Sequence, residues 1–136
     1  MKVHHRLIVI MTLAIVASPL TTLFSQDMDQ QEGIYRQQYE EYTARQDALQ
    51  DQIDGLSGVL TQIQALIDQV NALPTENYAQ QADRYEQLTL LLPSAQKFSE
   101  EIAKRQKQLD EIVRKKEDLR STILSRQSSL PIWWAE

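Results

Sequence analysis

Apolar residues recur at alternating steps of four and three along most of this chain, and this spacing constrains the fold more than any other feature. One series runs from Tyr35 to Val70 and another from Tyr78 to Ile123. Heptad spacing aligns apolar side chains along one stripe of a helix, which then packs against a second helix. The predicted seam positions are Tyr35, Tyr39, Tyr42, Gln46, Leu49, Ile53, Leu56, Leu60, Ile63, Ile67 and Val70 in the first series, and Tyr78, Ala82, Tyr85, Leu88, Leu92, Ala95, Phe98, Ile102, Arg105, Leu109, Ile112, Lys116, Leu119 and Ile123 in the second.

The short segment between the two series predicts where the chain reverses. Pro74 cannot continue a helix interior, and Thr75 is a suitable N-cap for a following helix. A reversal at this point predicts that Ile53 lies opposite Ala95 and that Tyr39 lies opposite Leu109.

Charge favours pairing of the two arms within one chain. Residues 26–72 carry nine acids and two bases, whereas residues 94–128 carry nine bases and six acids. Oppositely charged arms attract each other, and like arms repel. The predicted fold class is therefore all-α, a long antiparallel two-helix coiled-coil hairpin.

Three residues that weaken helices predict a kink in both arms. Pro93 falls opposite Gly55 in the predicted register, and Gly58 lies one turn from Gly55. Proline removes a helical hydrogen bond, and glycine lowers helix stability. Gly55, Gly58 and Pro93 are therefore hinge candidates. A passive kink with a phase slip in the seam, and a three-helix bundle that reverses at Pro93, are the alternatives.

The first 25 residues have the features of an export signal. Basic residues near the N-terminus, including Lys2 and Arg6, precede a largely aliphatic stretch from residue 7 to 17. Its length is typical of a signal peptide, and cleavage is predicted between Ser25 and Gln26. An uncleaved membrane anchor that extends to Phe24 is the alternative. Residues 26–136 are then the hairpin with an apolar C-terminal tail, located in the periplasm, secreted or at the cell surface.

The composition predicts no catalytic, cofactor-binding or metal site. The chain has no Cys, and its two His residues precede the apolar N-terminal stretch. Neighbouring acids such as Glu100 and Glu101 fit solvated helix faces rather than a cleft. We find no phosphate-binding loop or nucleophile motif, and export together with a charge of −7 for residues 26–136 (12 bases and 19 acids) argues against nucleic acid. The protein is therefore predicted not to be an enzyme.

The apolar stripe near the turn is wider than a two-helix hairpin requires. Val59, Leu66 and Leu73 lie beside the first seam, and Leu90 and Leu91 lie in the facing arm. A bundle of several hairpins would bury these side chains, which predicts a homo-oligomer. The alternative is that they are ordinary exposed leucines.

The C-terminal tail carries both Trp residues of the protein. Leu130, Ile132, Trp133 and Trp134 are candidate partner-binding or membrane-interface residues, because exposed Trp is costly in water and favoured at interfaces. Three interpretations remain open: a cap folded over the end of the hairpin, docking to a partner or second protomer, and contact with a membrane beside residues 7–24.

Together these features predict an exported, non-enzymatic coiled-coil protein that mediates protein–protein interaction or scaffolding in the cell envelope. The layout is similar to that of periplasmic holdase chaperones and of helical-hairpin surface adhesins, without a shared motif. A holdase-type chaperone and a secreted or surface adhesin are therefore the alternative functions.

Overall fold

A computed structural model describes residues 20–135 of the chain, with side-chain surroundings from residue 27 onward. The described residues form two helices, α1 (Leu20–Asn71) and α2 (Tyr78–Arg126), which run antiparallel and pack along their length. The predicted all-α hairpin is confirmed. The side chains of the predicted signal peptide, residues 1–25, and of its cleavage site lie outside the described ones.

The buried stripe of α1 follows the predicted seam. Each seam position from Tyr35 to Val70 is buried or half-buried, and charged neighbours such as Asp51 and Asp54 are exposed. On α2 the predicted seam is likewise confirmed from Ala95 to Ile123. The buried apolar side chains in the described part of the chain are Tyr39, Ile53, Val70, Leu109, Ile112, Leu119 and Ile123.

Asn77, not Thr75, caps the second helix. The Asn77 side chain accepts a hydrogen bond from the backbone N–H of Gln80 at 2.9 Å. The Gln80 side chain in turn accepts one from the backbone N–H of Glu76 at 3.0 Å. The pair resembles a capping box in which the Gln80 side chain reaches the residue before the cap, and it explains why the helix begins two residues later than predicted.

The register of the hairpin differs from the predicted one. Tyr39 packs with Leu119 rather than Leu109, and the Arg105 guanidinium hydrogen-bonds to Gln52 at 3.0 Å. The arms are shifted by about nine residues, roughly 14 Å at 1.5 Å per residue. The shift buries the aliphatic residues Leu119 and Ile123 against the tyrosines of α1, so α1 rather than α2 overhangs at the open end.

The shift also changes which residues of α2 face α1 near the turn. The predicted seam residues Tyr78 and Tyr85 are 86% and 73% exposed, and Leu92 is exposed as well. The half-buried residues in this stretch of α2 are instead Gln80, Arg84, Gln87, Leu91 and Ser94, together with the predicted seam residue Leu88. The seam on this part of α2 therefore changes phase just before Ala95.

The predicted kink is not confirmed. Helix α1 continues through Gly55 and Gly58, and α2 continues through Pro93. In the observed register Gly55 and Pro93 do not face each other, because Gln52 is paired with Arg105 and Leu66 lies beside Leu91. No described helix is long and apolar enough to span a membrane.

Candidate functional site

The open end of the hairpin contains an aromatic cluster built around Tyr39. The tail after α2 turns back along the helices, and the rings of Trp133 and Trp134 lie 5.6 and 4.5 Å from the Tyr39 ring. The Tyr39 hydroxyl donates to the carbonyl oxygen of Ala135 at 3.1 Å and accepts from its N–H at 3.0 Å. Ring packing and two hydrogen bonds thus hold the end of the tail against α1.

The tail residues predicted as interface candidates have different environments. Leu130, Trp133 and Trp134 are half-buried against the cluster of Tyr39, Leu119 and Ile123. Ile132 is fully exposed. The tail has the geometry of an intramolecular cap, and within it Ile132 alone of the four candidates presents its whole side chain to solvent.

Two cations lie over the tyrosines of this cluster. The Lys116 ammonium is 4.9 Å from the centre of the Tyr39 ring and 3.3 Å from the Gln46 side-chain oxygen. The Arg126 guanidinium lies 5.9 Å from the centre of the Tyr35 ring. Through these contacts Lys116 and Arg126 pack against the tyrosine rings at the open end.

A groove of about 500 Å³ opens beside the cap. Met28, Tyr35 and Trp133 supply its apolar wall, and Arg126 lies at its edge. Three acids also line the groove, namely Asp27, Asp29 and Glu32. Its mixed charge and its open shape are typical of a solvated surface cleft between a helix end and a tail.

A groove at the turn-proximal end has a different character. It measures about 390 Å³ and has no charged residue among its lining side chains. Leu90 is 70% exposed, and Leu66 and Leu73 are also exposed. We call this surface the turn groove; it is lined by Leu66, Gln69, Val70, Leu73, Gln87, Leu90 and Leu91.

A second apolar surface lies at the same end of the rod, on the other side of α2. Tyr78, Tyr85 and Leu92 are spaced by seven residues, so they align along one helix face, and all three are exposed. We call these three residues the tyrosine stripe. The heptad spacing predicted these residues in the seam, whereas in the observed register they are on the surface.

Midway along the rod, Arg105 connects the two arms. Its guanidinium contacts the Glu101 carboxylate on the same helix and the Gln52 side chain across the hairpin. The hydrogen bond from Arg105 is the main cause of a lowered pKa of Glu101. A shallow groove of about 350 Å³ nearby is lined by both Ala48 and Glu111 from opposite arms.

Among the described residues, no three His, Cys, Asp or Glu side chains are grouped so that they could hold a metal ion. Comparison with known proteins gives no match to any family model, curated protein or solved structure. The functional interpretation therefore depends on the surfaces of the hairpin itself.

The widened apolar stripe at Leu66, Leu73 and Leu90 was visible in the sequence, and the structure places these residues around one groove. The hydrogen bonds between Tyr39 and Ala135 were not predicted, since no local pattern connects residues so distant in the chain. One sequence signal could have located the turn-proximal surface more sharply. Residues 55–67 and 87–96 contain no charged side chain.

Proposed function

We propose that this protein is an exported, non-enzymatic helical hairpin that mediates protein–protein interaction in the cell envelope. The observation that carries the proposal is the exposed apolar surface at the turn-proximal end, where the turn groove lacks charge and Leu90 is largely exposed. Contiguous apolar surface of this kind is typical of sites where proteins associate.

The N-terminal sequence supports the proposed location. A basic segment followed by the aliphatic stretch of residues 7–17 is typical of an export signal. Such a signal directs the hairpin to the periplasm or the cell surface. The absence of Cys is compatible with an oxidising compartment, because no free thiol is present to be oxidised.

The two ends of the rod differ in what they offer a partner. At the open end Trp133 and Trp134 are engaged by Tyr39 of the same chain. At the turn-proximal end, no equivalent segment of the described chain covers Leu90. A scaffold or adaptor that docks through its turn-proximal end fits this asymmetry better than an adhesin that polymerises through a free aromatic tail.

A holdase-type chaperone remains the second candidate, and the exposed leucines of the turn groove favour it. A holdase would bind many unfolded proteins through this apolar surface, whereas an adaptor would bind few. The pattern of captured proteins separates the two functions.

Site-specific photo-cross-linking in the native host tests the proposal. A photoreactive amino acid would replace Leu90 in the turn groove or, as a control, Lys107, an exposed residue of α2 far from the turn. We expect discrete covalent adducts in the exported fraction from position 90 and none from position 107. A broad smear of adducts would favour the holdase. Absence of protein adducts at position 90, or a protein retained in the cytoplasm, would overturn the proposal.

A further inference from the structure

The turn groove and the tyrosine stripe lie on opposite flanks of the contact between the two helices. At about 100° per residue, Leu90 points roughly 140° away from Tyr85 around the axis of α2. Half-buried residues that face α1, such as Leu91 and Ala95, lie in the remaining arc of about 220°, with Leu90 on one side of them and Tyr85 on the other. The hairpin therefore carries one apolar surface on each side of its seam.

The two surfaces overlap along the length of the rod. The stripe extends over residues 78–92 of α2, and the groove is built on Gln87, Leu90 and Leu91 of the same stretch. The α1 side of the groove, from Leu66 to Leu73, is adjacent to that stretch. A rotation about an axis parallel to the rod therefore brings the stripe of one copy to the groove of another without sliding along the rod.

The chemistry of the two surfaces is complementary. The groove has leucine walls and the amides of Gln69 and Gln87. The stripe offers aromatic rings with hydroxyls that can hydrogen-bond to such amides, and Tyr is favoured in protein interfaces. Because the groove contains no charge, burying it requires no desolvation of an ionised group.

The rod shape of the two-helix hairpin also favours association with further copies. A two-helix rod buries a narrow stripe, so side-by-side packing is the means by which it gains a wider core.

We infer that hairpins assemble side by side in the same orientation into a closed ring of three or more copies, in which the tyrosine stripe of each copy packs into the turn groove of the next. This inference rests on the proposed function and names the partner of the turn groove as a second copy of the chain. Because the two contacting surfaces differ, each copy offers one of each, and repeated contacts of this kind form a ring when the rotation between copies closes.

Two single variants and their mixture test the ring. Tyr85→Glu damages the stripe, and Leu90→Glu damages the groove; both side chains are largely exposed, and circular dichroism checks that the helices persist. Val113→Glu, at an exposed position of α2 outside both surfaces, is the matched control. Sedimentation velocity and native mass spectrometry are applied to the protein as isolated from its host.

We expect three or more copies for the unaltered chain and for Val113→Glu, and monomers for each of the other two variants. Their mixture should form a one-to-one heterodimer, because one intact stripe and one intact groove remain available. An unaltered chain that is monomeric or dimeric, or a Tyr85→Glu variant that assembles as the unaltered chain does, would overturn the ring. Discrete adducts of position 90 with other proteins would then leave the proposed function standing.

Discussion

The Tyr39 hydroxyl both donates to and accepts from the backbone of Ala135, at 3.1 and 3.0 Å. These two residues are 96 positions apart in the chain. The contact joins the C-terminal tail to α1 at the end of the hairpin opposite the turn. It explains why Trp133 and Trp134 are part of the core cluster instead of a free arm.

Tyr39→Phe should release the end of the tail while keeping the ring packing. Loss of two partly buried hydrogen bonds is expected to lower the free energy of unfolding by about 1–2 kcal/mol. Tryptophan fluorescence should shift to longer wavelength as Trp133 and Trp134 gain water. Tyr42→Phe is the control, since Tyr42 packs on the same cluster and has no hydrogen bond to the tail. Equal effects of the two changes would refute the role of the hydroxyl.

Trp134→Ala should destabilise the hairpin, whereas Ile132→Ala should not. The Trp134 ring lies 4.5 Å from the Tyr39 ring, and Ile132 is fully exposed. Removing the half-buried indole should lower the free energy of unfolding by roughly 1.5–3 kcal/mol, measured by urea denaturation. If both variants keep full stability but lose binding to a partner or a membrane, the tail is an interface and the cap interpretation is wrong.

The two seams show how far the sequence predicts this fold. Each predicted seam position from Tyr35 to Val70, and from Ala95 to Ile123, is buried or half-buried as the heptad spacing predicts. The spacing defines which face of each helix packs, but it does not define how far one helix is displaced along the other. In the observed displacement Lys116 contacts Gln46 and Arg105 contacts Gln52 across the hairpin.

The turn-proximal site was predicted only in part, for the same reason. Leu66 and Leu90 were recognisable as extra apolar residues beside the seam. Tyr78 and Tyr85 fit a heptad equally well, and their exposure depends on the displacement of the arms. Placement of Leu119 and Ile123 against tyrosines of α1 is a tertiary preference that a one-dimensional pattern does not contain.

Gly58→Ala should stabilise the protein. Gly58 lies inside continuous α1, and a methyl group added there meets no atom within 4 Å. Alanine in a helix interior is favoured over glycine by about 0.5–1 kcal/mol, so thermal unfolding should occur at higher temperature. Gly33→Ala, in an equally open position, is the matched comparison. A stabilised variant with reduced assembly would instead identify Gly58 as part of a working hinge.

Arg105 should control the titration of Glu101. Its hydrogen bond holds the pKa of Glu101 below the ordinary value of 4.5. A lowered folded-state pKa stabilises the fold above that ordinary value, and the contribution is lost as pH falls through the lowered pKa. Arg105→Met should raise the Glu101 pKa in a carbon-detected NMR titration. Gln52→Leu should leave it low, because Gln52 contacts Arg105 and not the carboxylate. An unchanged pKa in Arg105→Met would contradict this assignment.

The exposure of the tyrosine stripe depends on the register of the two arms. In the register that the sequence predicted, Tyr78, Tyr85 and Leu92 would be buried between the arms. In the observed register they are exposed, and the turn groove and tyrosine stripe flank the seam. The chain contains no Cys, so introduced thiols are the only ones that a cross-linker can join.

Cross-linking with a short rigid bismaleimide measures the register directly. Ala48 and Glu111 line one groove across the hairpin, so the double variant Ala48→Cys with Glu111→Cys should cross-link within the chain at high yield. Glu100 would lie opposite Ala48 in the alternative register, and Ala48→Cys with Glu100→Cys should not cross-link, since roughly 16 Å of helix separates positions 100 and 111. Efficient cross-linking of the second pair and not the first would contradict the register and, with it, the exposed stripe.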